Sequence, residues 1–160
     1  MRYYIVLILL TVGLCATDEG MLVGEWISVT PVSNQGSRTT EKEYLKLHAD
    51  YTFDTDFLVT VEKGSAYVKN LHIEGKGIWK TRGDILVIVV NDVKVPAAEE
   101  VYGVSQKSLE AIATTFRRRF KEDPIRILLI KQLNHEILVT ENKRKQRVEY
   151  NRRSLSSYRR

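Results

Sequence analysis

Leu71-His72-Ile73-Glu74-Gly75-Lys76-Gly77-Ile78-Trp79-Lys80 decides the fold, because its odd positions are apolar or glycine while its even positions, Ile78 apart, are polar. Side chains of a strand point alternately to opposite faces, so the segment reads as a strand with Leu71, Ile73, Gly75, Gly77 and Trp79 on the buried side. Thr81-Arg82-Gly83-Asp84 then supplies a glycine turn, and residues 85–90 return as an almost wholly apolar strand. Upstream, Tyr51-Thr52-Phe53-Asp54-Thr55-Asp56-Phe57-Leu58-Val59-Thr60-Val61 alternates in the same way, with Tyr51, Phe53 and Phe57 inward. Residues 44–48 make a shorter strand with Leu45 and Leu47 inward, joined to it by His48-Ala49-Asp50. Downstream, strands are expected at 125–133, 136–141 and 147–152, with Asn134-His135 as a short hairpin connection. Strands at this spacing predict an all-β, antiparallel, up-and-down barrel of about eight strands.

Working outward, both tryptophans of the chain stand in one tripeptide frame, Gly24-Glu25-Trp26 and Gly77-Ile78-Trp79. A glycine two residues before an inward indole leaves a smooth spot against which a bulky ring or a crossing strand packs, since it has no Cβ. One segment departs from strand periodicity. Between Ser105 and Lys121, the apolar residues Leu109, Ile112, Ala113, Phe116 and Phe120 recur at intervals of three and four, which predicts a helix over 105–121. Ser105 can cap its start, Arg117, Arg118 and Arg119 suit its C-terminal end, and Pro124 stops it. The helix either packs on the barrel wall or forms a lid over the mouth. The polar stretch 32–40 is the other expected rim element, a loop.

The 160 residues, 43% of them hydrophobic, suffice for one domain with a real core. An apolar run over residues 3–14, preceded by Arg2 and followed by polar Thr17-Asp18-Glu19, reads as a signal peptide over 1–16, and at about a dozen residues it is shorter than the roughly twenty that span a bilayer. Cys15, the sole cysteine, closes this run. It fits either a lipidated first residue of an envelope lipoprotein, with Leu14 bulkier than that site prefers, or ordinary cleavage with Gly13 and Cys15 at the small positions. Under both readings the mature domain, expected over 20–153, keeps no disulfide. Localisation is expected to be exported: periplasm, cell envelope or secreted.

Charge is uneven. Residues 142–160 hold eight Lys or Arg against the single acid Glu149, whereas 17–141 hold sixteen basic and nineteen acidic residues. The basic C-terminal segment, including a tail over 154–160, suits either an anionic envelope surface or a solvated edge kept soluble by cations. No groove-reading motif or stacking platform points to nucleic acid.

Recognisable catalytic chemistry is missing from the sequence. His48, His72 and His135 fall on separate strands or turns without a second metal ligand at metal-binding spacing, so neither a metal nor another cofactor is expected. There is no nucleophile elbow and no phosphate-binding glycine loop. Asp54 and Asp56 share a strand face with Thr52 and Thr60 and read as a solvated exterior rather than paired catalytic carboxylates. The chain is therefore not expected to be an enzyme.

Leu22-Val23-Gly24-Glu25-Trp26, Leu45-Lys46-Leu47-His48-Ala49-Asp50-Tyr51-Thr52-Phe53, Gly77-Ile78-Trp79-Lys80-Thr81-Arg82-Gly83-Asp84-Ile85-Leu86, and Asn134-His135-Glu136-Ile137-Leu138 with Tyr150-Asn151-Arg152 together resemble the bacterial lipocalin-like domains, small exported or lipid-anchored barrels. The resemblance covers roughly residues 22–153, with 92–124 as an elaboration, and departs from the family where Tyr51 takes the place of a turn glycine. It implies that Trp26 closes the barrel floor beneath Arg152, or its neighbour Arg153, with Gly24 making room. It also implies a small apolar or amphipathic ligand held in the barrel, which the alternation would surround with Phe53, Phe57, Ile73 and Trp79, with Phe116 and Phe120 as cover. The alternative is a filled barrel that serves as a protein or polyanion interaction module, since barrels of eight strands can be packed by their own side chains.

Overall fold

The period-two segments form a continuous wall in the computed structural model, which describes residues 18–34, 36–95 and 98–153. A single turn, α1 (Glu19–Leu22), leads into β1 (Gly24–Asn34), β2 (Ser37–Leu47), β3 (Thr52–Lys63), β4 (Ala66–Arg82), β5 (Ile85–Lys94), β6 (Ala98–Tyr102), α2 (Gln106–Glu122), β7 (Ile125–Leu133), β8 (Ile137–Asn142) and β9 (Arg147–Arg152). Each strand pairs antiparallel with the next in the ring β1-β2-β3-β4-β5-β7-β8-β9, and β9 returns to β1. The result is a closed eight-stranded up-and-down barrel. The remaining strand, β6, continues β5 along the same edge of β4: Val93 faces Gly75, and further along Ala98 faces Leu71.

The two ends of the barrel differ because the strands differ in length. β1 to β4 are long hairpin arms, whereas β9 meets β1 through Trp26 opposite Arg152 and Ile27 opposite Asn151, and β7 covers only residues 85–89 of β5. One end is therefore closed all round, and the other is a half-wall of β1 to β4 with β6. Its inner face is apolar on β3 and β4, and α2 lies there. Leu109, Ile112, Ala113, Phe116 and Phe120 pack on Val59, Val68, Leu71, Ile73 and Val95. The three-four spacing of α2 exists to make this contact, the Ser105 hydroxyl accepts from the Ser108 amide at 3.2 Å as its cap, and Pro124 ends it. A second cluster, with Trp26, Leu45, Leu47, Phe53, Trp79, Leu86, Ile88, Leu138 and Tyr150, fills the closed end.

Two expectations are corrected. Residues 32–40 are not a rim loop but the tip of the β1–β2 hairpin, where Asn34 pairs with Ser37. Their polarity does not signal a lack of pairing. Tyr51 does not point inward: β3 starts one residue later, and Tyr51 sits in the turn at φ 65°, 41% exposed. It holds there the left-handed conformation that glycine adopts most readily, with its ring 5.4 Å from that of Trp79 and its hydroxyl donating to Glu19 at 3.0 Å. The segment over 92–124 supplies the end of β5, β6 and α2.

Gly77 has no such latitude. A Cβ there would lie 1.9 Å from the Val89 carbonyl oxygen and 2.8 Å from the Phe53 ring, because β4 approaches β5 at the irregularity between Lys76 and Gly77. Gly77→Ala is expected to cost about 3 kcal/mol, the upper end for overpacking, since a backbone carbonyl cannot rotate away as a side chain does. Gly64→Ala, whose φ of 60° meets open space, should cost about 1–2 kcal/mol from conformation alone. Urea midpoints at unchanged m-value compare the two, and equal shifts would show that the close approach at Gly77 is not what constrains it.

Candidate functional site

At the closed end, Trp26 is fully buried and its indole N–H donates to the Leu22 carbonyl at 2.8 Å. The Arg152 guanidinium lies over the ring, its central carbon 4.2 Å from the centroid, and donates to the carbonyls of Val23, at 2.9 Å, and Met21. Gly24, at φ 140°, makes this possible: a Cβ would stand 2.4 Å from the Arg152 Nη1. Arg153 turns outward instead, over Tyr44 and toward Glu25. The second tryptophan is anchored in like manner, with Trp79 donating to the His48 carbonyl at 3.0 Å.

The six residues expected to line a ligand pocket are brought to the interior. Phe53, Ile73 and Trp79 are 2% exposed or less, Phe57 packs on Phe120 with centroids 5.7 Å apart, and Phe116 joins the cluster under α2. None of them borders either of the two concavities found on the described residues. α2 lies over this interior, with Phe116 and Phe120 packed toward the wall.

Inside the barrel is a polar cluster that the sequence reading missed. The Glu43 carboxylate accepts from Arg126 at 2.8 Å, from the Tyr150 hydroxyl at 2.7 Å and from Thr55 at 3.4 Å. Strand register explains why they converge. Glu43 is on the inward face with Leu45 and Leu47, and Arg126 opposes Ile88 on the same face as Leu128 and Ile130. A charge at period two from a run of core residues was the available signal. Burial drives the Tyr150 hydroxyl far above the usual phenol range, reinforced by Glu43. For Arg126, burial favours the neutral form, but Glu43 and Tyr150 outweigh it and its proton is held more tightly than usual. The cluster is a set of mutual donors and acceptors held inside the barrel.

The larger concavity, about 670 Å³, lies on the outer face of β1 to β4. Tyr44 and Leu58 form its apolar part, and Asp54, Asp56 and His72 flank it. Asp54 is 2.7 Å from His48 and 3.3 Å from Lys76, and the hydrogen bond from His48 holds its carboxyl below the usual range. Asp56 pairs with His72 at 3.4 Å. Both aspartates are therefore on the outer wall, each engaged by a cationic or imidazole partner rather than by the other.

Among the described residues no group of three or more His, Cys, Asp or Glu is arranged to hold a metal ion, and no helix is long and apolar enough to cross a membrane. The expected signal peptide with Cys15, and the tail over 154–160, lie outside the described residues. No family model matches the sequence, and no curated protein matches it.

Proposed function

We propose that this chain is an exported, lipocalin-like binding protein of the cell envelope that works without catalysis, and that its barrel is filled and recognises its partner through the outer surface. The observation carrying this reading is that α2 seats Leu109, Ile112, Ala113 and Phe116 on the inner face of β3 and β4, where a carried molecule would rest. The non-catalytic part is supported by the closed Glu43, Arg126 and Tyr150 cluster and by the direction of the Asp54 shift, which is opposite to that of a general acid. A second reading keeps the small apolar or amphipathic ligand inside the barrel, with α2 as a lid. It is favoured by the buried polar cluster, which lies beside the Phe57–Phe120 contact that α2 makes, Arg126 being 5.9 Å from the Phe57 ring.

Titration with long-chain fatty acids and with an apolar dye, read by tryptophan emission, separates the two. Trp79 is buried in the same core cluster as Phe53, so a filled barrel gives no saturable quenching. One-to-one quenching at micromolar probe, together with a co-purifying lipid in native mass spectra, would replace the surface reading with the lid reading.

A further inference from the structure

The outward positions of β2 and β3 are largely polar or charged, as a wet face requires, but those of β5 and β7 are not, and Ile78 of β4 lies beside them. Ile78 opposes Val89, Val89 opposes Ile125, and Val87 opposes Ile127, so these side chains are cross-strand neighbours on one continuous face. Ile78, Ile125 and Ile127 are 50, 49 and 56% exposed, and Ile85 beside them 39%. A scattered exposed isoleucine needs no explanation, but a contiguous aliphatic face marks an interaction surface.

Its borders are cationic on two opposite sides. Lys80 and Arg82 stand on β4. On the far side Leu128 opposes Asn142, so the β8–β9 turn with Lys143, Arg144 and Lys145 continues alongside Ile127, and Lys143 reaches Asp123, two residues before Ile125. The side chains of Lys143 and Lys145 are 75 and 82% exposed. A second copy related by a two-fold axis would set the Lys80 edge of one barrel against the Lys143 edge of the other, a like-charge juxtaposition that disfavours self-pairing. An apolar centre between two basic edges instead complements a surface that is both anionic and apolar beneath.

We propose that this face docks the barrel on an anionic phospholipid bilayer, with Ile78, Ile125 and Ile127 entering the interfacial layer and the Lys143–Lys145 turn meeting the headgroups. The inference rests on the surface-recognition reading above and names the surface it uses. The Trp79 titration tests that reading separately, because interior quenching does not depend on vesicles.

The test uses the full chain with vesicles of phosphatidylcholine containing about one-third phosphatidylglycerol, a content at which each nearby Lys or Arg contributes about fivefold to partitioning. Ile127→Trp reports the docking face and Tyr44→Trp the opposite wall, so attachment elsewhere in the chain cannot imitate the result. Brominated lipid should quench the tryptophan at 127 and not the one at 44. Lys143→Gln with Arg144→Gln should lower that quenching at limiting lipid by about tenfold or more, with little loss on vesicles of phosphatidylcholine alone. No quenching at 127, or equal quenching at both positions, overturns the proposal. So does a concentration-dependent dimer abolished by Ile127→Lys, which would assign the face to a second copy.

Discussion

Trp26→Ala is expected to lower stability by about 3–5 kcal/mol, the range for deleting a large buried aromatic side chain. The indole is fully buried at the closed end, it donates to Leu22, and Arg152 lies across its face. Removing it leaves a cavity at the one place where β1 and β9 are paired, so the closure of the ring is weakened along with the core. A loss of this size is a large part of what a domain of this length possesses. Arg152→Lys should be milder, since an ammonium keeps the charge but cannot lie flat on the ring or reach two carbonyls in a fork. The double-mutant cycle of Trp26→Ala and Arg152→Ala, measured by urea midpoint, should show coupling of about 0.5–2 kcal/mol. Strict additivity would mean that the stack contributes nothing, whatever its geometry.

Arg126→Met is expected to cost about 3–5 kcal/mol, because it strands the Glu43 carboxylate in the barrel with only Tyr150 and Thr55 as donors. The Arg126→Met and Glu43→Leu double variant should recover most of that loss. The arginine and glutamate neutralise each other, and apolar side chains of similar volume remove the desolvation of both at once. Tyr150→Phe tests the third member: it removes one donor to Glu43 and should cost about 1–3 kcal/mol. If the double variant were as unstable as the sum of its singles, the cluster would owe its place to shape rather than to charge pairing. Thermal and urea unfolding of the four proteins decide between these outcomes.

Strand identity was legible because period two survives in the text of the chain. Residues 125–133 and 147–152 are strands with the bounds expected of them, and the helix lies one residue beyond its expected span at 106–122. Rim and turn were misread for a common reason. In residues 32–40 and at Tyr51, composition spoke for loop and core respectively, whereas pairing with β2 and the left-handed turn conformation are set by neighbours. The candidate pocket is a different case. Phe53, Phe57, Ile73 and Trp79 do face inward, but alternation cannot tell whether the space they face is empty.

What the sequence determined by itself is local: which residues are strand, which are helix, and which face of each is apolar, because these follow from the spacing of side chains along one segment. The Gly24 and Gly77 frames were visible there too, though not what each makes room for, a guanidinium in one case and a strand carbonyl in the other. Tertiary structure alone decided what meets across the barrel. Glu43, Arg126 and Tyr150 come from three different strands, and α2 reaches the inner face only because β7 stops short of the end of β5. Such contacts depend on register and strand length summed around a closed ring, and a closed ring is a property of all its strands at once, which no single segment encodes.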